Sequence, residues 1–509
     1  MLLDWILAAA PLLVILILML GFRWGASKAG PAGWFTAIIV AAVHFGTGIE
    51  VLALAQTKAL FLALDVLLIT WSAFLLYRVT AEAGAISTIS DAVTHLTPDR
   101  VIQALLIGWA FASFLQGVGG FGVPTAVTAP LLIGLGFAPL SAIVIPSIGH
   151  AWSVSFGSLA TAIQALIATT GIPGEILVPA AAALLGIIGF FCGFMVAHLA
   201  GGWRAIKVHL LPILLIGLAM SSTQYILATN GLWNLAGLGA GLMGLVAGYI
   251  IARRSGNQVS IGRGFSVSRR DVLLAFSGYI ALVVFTLIII FFQPLRSFLD
   301  QFVIRFSFPE MGTSRGFIIP AGYGREIPLF RHAGAILFYS SLFTYLLYRL
   351  TGLLGKGSAQ KILGGTIQRV LPSSIGIIAM IAMAMVMLHA GMTETLALGL
   401  ARGAGDFYPL IAPWIGALGA FMTGSNTNSN VLFGTLQMRT AELLGYAVTV
   451  ILAAQTGGGA VGSVLAPTKI VVGASTTELI GQEGHIMKKL IGYVAILLLV
   501  MSAITWLLT

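Results

Sequence analysis

The sequence predicts an all-α polytopic membrane protein made of inverted repeats, each holding a re-entrant helical hairpin and a broken transmembrane helix. Three observations carry that expectation. Of the 509 residues 58% are hydrophobic and 8% charged, with a mean hydropathy of +1.02, whereas soluble domains carry about a quarter charged residues. Apolar runs of roughly 20 residues, enough to cross a bilayer core as helix, recur from end to end. Two stretches, 101–171 and 408–478, are equally apolar yet repeatedly interrupted by Gly, Pro, Ser, Thr and Asn.

Continuous apolar segments occupy 5–21, 33–55, 59–78, 174–199, 208–228, 231–252, 272–292, 332–348, 373–390 and 490–508. The N-terminal stretch MLLDWILAAAPLLVILILMLGF lacks a basic leader and carries Asp4, so it reads as a membrane helix and not a cleaved signal. The first interrupted stretch divides into a hairpin over 101–137 and a crossing helix over 139–171. The second divides into 408–438 and 441–478. Around them lie the helices of 1–100 and 172–252, a basic loop 253–271, the segment 272–407 with an extracellular loop 294–331, and a last helix within 479–509. The lone Cys192 excludes an intrachain disulfide and a multi-cysteine metal site.

Charge tests this division. With the N-terminus outside, 17 of the 26 Lys and Arg residues fall on one face and 7 on the other, which marks the first face as cytoplasmic under the positive-inside rule. The pI near 9.9 is therefore topological: the expected partner surface is membrane lipid, not nucleic acid. The same count brings the first hairpin in from the cytoplasm and the second from outside. Similar units of opposite orientation are the architecture of many secondary transporters, which puts the chain in the cell's inner or plasma membrane as a multi-pass protein.

Non-helical backbone at membrane depth is tolerated only inside protein or beside a water-filled cavity. Four interruptions meet that condition: Gly117–Pro124 and Thr423–Asn430 at the hairpin tips, and Gly149–Ser158 and Gln455–Lys469 in the crossing helices. Helix N-termini placed there offer N–H groups to an anion, and carbonyl ends can hold a cation. The run TGSNTNSN (Thr423–Asn430) needs partners, since each buried unpaired polar group costs roughly 1–3 kcal/mol; those partners are a ligand or the hairpin's own backbone. An intramembrane Lys469 is a binding-site candidate by default, its alternative being a structural partner for a nearby acid. His150 stands at the first interruption, where it could donate to substrate or carry the coupling proton, its alternative being a structurally satisfied histidine. Glu50, Asp65 and Glu442 read as paired structural acids that could also carry protons. GVGGFG (Gly117–Gly122) and GGGAVG (Gly457–Gly462) fit GxGxxG, but that fingerprint needs a strand and a soluble βαβ unit. No paired carboxylates, HExxH ligands or Ser-His-Asp arrangement stand out, so no enzyme is expected.

At FLQGVGGFGVPTAVTAPLLIGLGFAPL (Phe114–Leu140), VSFGS (Val154–Ser158) and FMTGSNTNSNVLFGTLQ (Phe421–Gln437) the chain resembles the lactate permease family of the ion transporter superfamily. The resemblance implies a carrier of L-lactate, glycolate and related 2-hydroxymonocarboxylates, with a proton as coupling ion and no cofactor. It also implies scaffold helices in 1–100 and 272–407, a transport domain from the two interrupted stretches, an elevator motion and a homodimer. The expected substrate contacts are Gly119, Gly120, Gly122, Thr125, His150, Ser153, Ser155, Ser425, Asn426, Thr427, Asn428, Gly458, Gly459 and Lys469, with Gln116 one turn behind, orienting the tip; His150 and Lys469 stand where the family commonly has Asn and a small polar residue. Proton-coupled members of the family often carry acids where this chain has Gln116 and Asn426, and the GSNT run resembles the tips of sodium-coupled relatives. Sodium is therefore the alternative coupling ion, and a dicarboxylate or sulfonate the alternative cargo.

Overall fold

The computed structural model describes residues 2–22, 24–94, 97–120, 122–254, 268–323, 326–475, 477, 479 and 482–509. Most of the basic loop 253–271, together with Arg23, Phe121 and Arg325, lies outside them. Among the described residues twelve helices are long and apolar enough to cross a membrane.

Three helices open the chain: α1 (Leu2–Leu20), α2 (Ala26–Val43) and α3 (Ile49–Glu82), with the short α4 (Ala85–Thr94) after them. The expected division at 55–59 is absent. The chain turns at 44–48 instead, and α3 runs 34 residues, about 50 Å at 1.5 Å per residue. Lys58, expected in a loop, sits inside this helix with its ammonium 3.2 Å from His389 Nε2.

The first hairpin climbs through α5 (Arg100–Gln103), a π-helical stretch Ala104–Phe111 and α6 (Ala112–Val118), turns, and returns as α7 (Val123–Gly134). Every residue of Val101–Val118 is buried. Its base is closed: Arg100 Nη2 donates to the Gly136 carbonyl at 2.8 Å and the guanidinium lies 4.7 Å over the Phe137 ring. The crossing helix follows as α8 (Pro139–Gly149), a 3₁₀ turn Ala151–Phe156 and α9 (Gly157–Thr170).

Next come α10 (Gly174–Val208), α11 (Leu210–Thr229), α12 (Trp233–Arg254) and α13 (Arg269–Phe291). The loop expected over 294–331 holds the short α14 (Gln293–Leu299) and a long antiparallel ribbon. In it β1 (Val303–Ile304) pairs with β6 (Ile327–Pro328), β2 (Ser307–Phe308) with β5 (Gly322–Tyr323), and β3 (Met311–Gly312) with β4 (Ile318–Ile319). The ribbon tip is pinned back onto the helices: Ser314 N–H donates to the Gly46 carbonyl at 2.9 Å, and Arg315 pairs with Asp4 at 3.4 Å.

Helices α15 (Ala333–Leu350), α16 (Ser358–His389) and α17 (Met392–Ala404) lead to the second hairpin, α18 (Tyr408–Thr423) and α19 (Asn426–Leu444). Its return arm outruns the expected 438 and stops where Gly445 adopts φ +74°, a left-handed C-terminal stop that glycine takes without Cβ strain. The second crossing helix is α20 (Val448–Gly462), a 3₁₀ turn Ser463–Leu465 and α21 (Pro467–Ser475); α22 (Glu483–Leu508) ends the chain. The interruption expected over 455–469 is confined to its last third, and Gly457, Gly458, Gly459 and Gly462 all stay helical. They serve close helix approach: a Cβ on Gly458 would stand 1.9 Å from the Pro413 carbonyl and one on Gly462 2.4 Å from Ala417 Cα. Small residues play this part at helix contacts in membranes.

Replacing Arg100 with Ala removes the charged hydrogen bond that closes the first hairpin. We expect a local loss of about 1 kcal/mol, read as a roughly fivefold faster hydrogen exchange at 133–138; unchanged exchange there would show that the base is held by other contacts.

Candidate functional site

Both hairpin tips are built by glycine. Gly120 (φ +55°) and Gly122 (φ +86°) turn the first, and Gly424 (φ +72°) turns the second, conformations that a Cβ penalises. There is also no room for one: it would lie 2.1 Å from Ser158 Oγ at Gly120 and 2.6 Å from Thr468 Oγ1 at Gly424. The first tip thus rests on the interruption of its own unit, and the second tip on the start of α21. Ser425 caps α19, its Oγ accepting from the Asn428 N–H at 3.3 Å.

The first interruption carries a further constraint. Ser158, Leu159 and Ala160 have φ of 45°, 57° and 63°, three consecutive L-residues in left-handed conformation, at a cost of roughly 1–2 kcal/mol each. The turn is closed by Thr161 Oγ1 donating to the Ser158 carbonyl at 2.6 Å. It brings Ser158 and Thr161 to a polar cavity of about 30 Å³, lined by Gln116, Val154, Gly157, Ser158, Thr161, Ala162, Gly424, Ser425, Asn426, Thr427 and Lys469. Residues from both units and both hairpins meet there.

Through Gly424, Ser425 and Lys469 the cavity adjoins a second one of about 370 Å³ that also touches Gln368, Arg369, Ser373, Asn428 and Thr468. Through Gln368, Arg369 and Val472 this adjoins a third of about 570 Å³, bounded by Tyr77, Arg78, Val123 and Ala126. Lys469, Arg369 and Arg78 line this series, and no Asp or Glu does among the described residues. Arg78 is 3.7 Å from Glu82, which stands outside the lining. A larger cavity of about 800 Å³ lies under the ribbon tip, but it is bordered by both signs (Asp4, Glu394, Arg315, Arg402) and is touched by neither hairpin tip.

Behind the first cavity a buried hydrogen-bond node ties the two units together. Asn426 Nδ2 donates to Ser155 Oγ at 3.0 Å and to the Thr456 carbonyl at 3.1 Å. Thr456 Oγ1 donates to Ser155 Oγ at 3.0 Å, and Asn430 Nδ2 donates to Thr456 Oγ1 at 2.9 Å and to the Ala162 carbonyl at 2.9 Å. Deeper still, Gln455 Nε2 donates to Ser429 Oγ, and Gln437 Nε2 to Gln455 Oε1. Much of the polar run therefore satisfies protein groups, while the side-chain oxygens of Gln116, Asn426 and Asn428 are buried without a protein partner.

The expected contacts divide accordingly. Ser425, Asn426, Thr427 and Lys469 line the cavity, and Lys469 Nζ donates to Ser463 Oγ at 2.8 Å. Gln116 lines it as well, instead of standing behind it. Asn428 lines the adjoining cavity. Gly120 and Gly122 shape the tip, while Gly119 packs against Tyr77 and Gly459 against Asn426. Thr125 faces Ser147 at 3.4 Å. Ser153 Oγ donates to the His150 carbonyl at 3.0 Å and Ser155 belongs to the node. His150 Nδ1–H donates to the Pro146 carbonyl at 2.6 Å, leaving Nε2 buried without a protein partner. Gly157, Thr161 and Gly424 were not anticipated as contacts; Thr161 becomes legible once a turn is placed at Ser158.

This arrangement defines a polytopic membrane protein in which two helical hairpins and two interrupted helices meet at a small polar cavity. The chain matches the family model described as L-lactate permease over residues 4–509, and it belongs to that family. Among its relatives, the glycolate permease GlcA of Escherichia coli strain K12 is 27% identical, covering 99% of this chain and 95% of that one. The L-lactate permease of the same organism is 27% identical over 85% and 82%, and that of Bacillus subtilis strain 168 is 27% identical over 100% and 96%. A solved structure, the YdaH transporter of Alcanivorax borkumensis, is similar over 90% of this chain and 86% of its own, with 16% identity and a TM-score of 0.47. The protein is thus a membrane transporter and not an enzyme, a multi-pass protein of the plasma membrane.

The close approach at Gly458 separates packing from binding. A Gly458→Val chain should lose about 1–3 kcal/mol through overpacking against Pro413, seen as a lower melting temperature in detergent. A variant of unchanged melting temperature with weakened substrate binding would instead assign Gly458 to the site.

Proposed function

We propose that this chain is a secondary active carrier of small 2-hydroxymonocarboxylates, L-lactate and glycolate foremost, moved with a proton by an elevator-type mechanism. The observation that carries the reading is the series of three joined cavities that ends at the hairpin tips, lined among the described residues by three basic side chains and no acidic one. Such a path attracts a small anion and disfavours a cation. The names of the relatives point to the same class of cargo.

In this reading the Lys469 ammonium and the first-turn N–H groups of α19 take the carboxylate, as helix N-termini do. The hydroxyl donates to Gln116 Oε1, a buried acceptor with no partner among the described residues, and receives from Ser158 Oγ. Discrimination then follows from the unpaired oxygen: an analogue without the hydroxyl leaves it unsatisfied, at roughly 1–3 kcal/mol. The two hairpins and two interrupted helices, joined by the Asn426–Ser155–Thr456 node, move together as the transport domain. A sodium-coupled carrier is the second reading, favoured by the unpartnered oxygens of Asn426, Asn428 and Asn430, which suit a hard cation.

Radiolabelled L-lactate uptake into proteoliposomes decides among these. We expect accumulation under an inward proton gradient and none under a sodium gradient; the reverse would establish the second reading, and no uptake of lactate or glycolate would overturn the cargo. Lys469→Ala should raise the KM for L-lactate about tenfold or more, the worth of a charged hydrogen bond. An unchanged KM would remove Lys469 from the site.

A further inference from the structure

Among the described residues the cavity series has no acidic side chain, so a co-transported proton calls for a carrier elsewhere. Of the acidic residues described, Asp65 alone is buried, with 1% of its surface exposed. It sits midway along α3. His332, 5% exposed, stands at the N-terminal cap of α15, with Nε2 2.8 Å from Asp65 Oδ1. The Gly334 N–H donates to His332 Nδ1 at 3.2 Å, so the ring proton lies on Nε2 and is given to the carboxylate. Asp65 Oδ2 faces α9, where Gln164 Nε2 donates to it at 3.4 Å. Gln164 is three residues beyond Thr161, which lines the cavity.

We propose that Asp65, held by His332 and read by Gln164, is the proton-binding site of the transport cycle. The inference rests on the proton-coupled reading above and adds the carrier that the cavity lacks. With Nδ1 occupied by a backbone donor, an arriving proton goes to Asp65 Oδ2. The carboxyl O–H then donates where the carboxylate accepted, and Gln164 must turn its oxygen toward it. The proton state is thereby transmitted to the helix that carries Ser158 and Thr161. One proton enters from water on one side and leaves to water on the other, and nothing else changes charge. Because Asp65 is closed off by α9, proton exchange requires α9 to shift against α3, which joins protonation to movement.

The surroundings fit this role. From α9 the group facing Asp65 is the neutral Gln164, and from α15 it is His332. On α16 the nearest titratable group on this side is His389, which bonds Lys58 two turns earlier on α3. At the other end of α3 the tyrosine of α13, Tyr279, donates to Thr80. A buried carboxylate held by a neutral imidazole is a poor stability device, since taking the charge out of water costs free energy that its hydrogen bonds must offset. Its place at the contact of α3 with the site-bearing α9 gives it a task that an apolar pair could not perform.

The test uses the full chain in proteoliposomes, with two transport measurements. Asp65→Asn should lower L-lactate accumulation under an inward proton gradient at least about tenfold. It should leave gradient-free exchange of external for internal L-lactate within about twofold of wild type, because exchange needs no net proton movement. Accumulation at the wild-type level, or an equal loss of both activities in a protein of wild-type melting temperature, would overturn the proposal. Should Asp65→Asn fail to fold, infrared difference spectra of the wild type decide: lactate added at acidic pH should change the C=O stretch of a protonated buried carboxyl, and no such band would refute it. A wild type that concentrates lactate with sodium alone would refute the functional reading itself; a proton-driven wild type matched by Asp65→Asn would refute only the assignment of Asp65.

Discussion

The structure depends on one constraint: backbone that leaves the helix inside an apolar protein must find its hydrogen-bond partners within the chain or in what the chain binds. Four interruptions occur, and the fold resolves them by bringing them together. Ser155 of the first interruption, Asn426 of the second tip and Thr456 of the second crossing helix share one buried node. Because Ser155 lies about 270 to 300 positions from Asn426 and Thr456 in sequence, the node forms only when both units are folded and docked. It joins the second tip to the interruption of the first crossing helix.

Around the node the polar inventory separates by function. Thr423, Ser429, Asn430, Gln437 and Gln455 turn their donors onto protein groups. The side-chain oxygens of Gln116, Asn426, Asn428 and Asn430 find no partner among the described residues, and Lys469, bonded to Ser463, lines the cavity beside them. The first set holds the chain around the tips in place, and the second is the set that the proposed function assigns to the solute. The three left-handed residues Ser158–Ala160 fit the same picture, strain being kept where the surrounding structure over-determines it.

Much of this was legible in the sequence, for physical reasons. Helix number followed from apolar length, and the hairpins with their tips followed from breakers that have no other use in lipid. The point at which α20 breaks was not legible. By propensity Gly457–Gly462 is the weaker helix former, since Leu465 and Ala466 favour helix, so the break is expected earlier than it falls; the neighbours decide, Pro413, Ala417 and Met501 packing against the glycines. The length of α3 escaped for a related reason, since Lys58 resembles a loop residue until His389, 331 positions away, is brought beside it. Thr125, Ser153 and Gly458 have the composition of a binding site but pack against structural neighbours. Asp65 was legible as a paired acid; that its partner is His332, and that Gln164 of α9 reads it, was not.

The central claim is that the two units share one binding cavity, with Gln116 of the first and Lys469 of the second on its wall. A double-mutant cycle on L-lactate affinity tests it most directly, using Gln116→Ala, Lys469→Ala and the combination in purified protein. Residues that grip one small anion should be coupled, the double variant departing from the sum of the single effects by at least about 0.5 kcal/mol. Strict additivity, or loss of affinity from one unit only, would contradict a shared site.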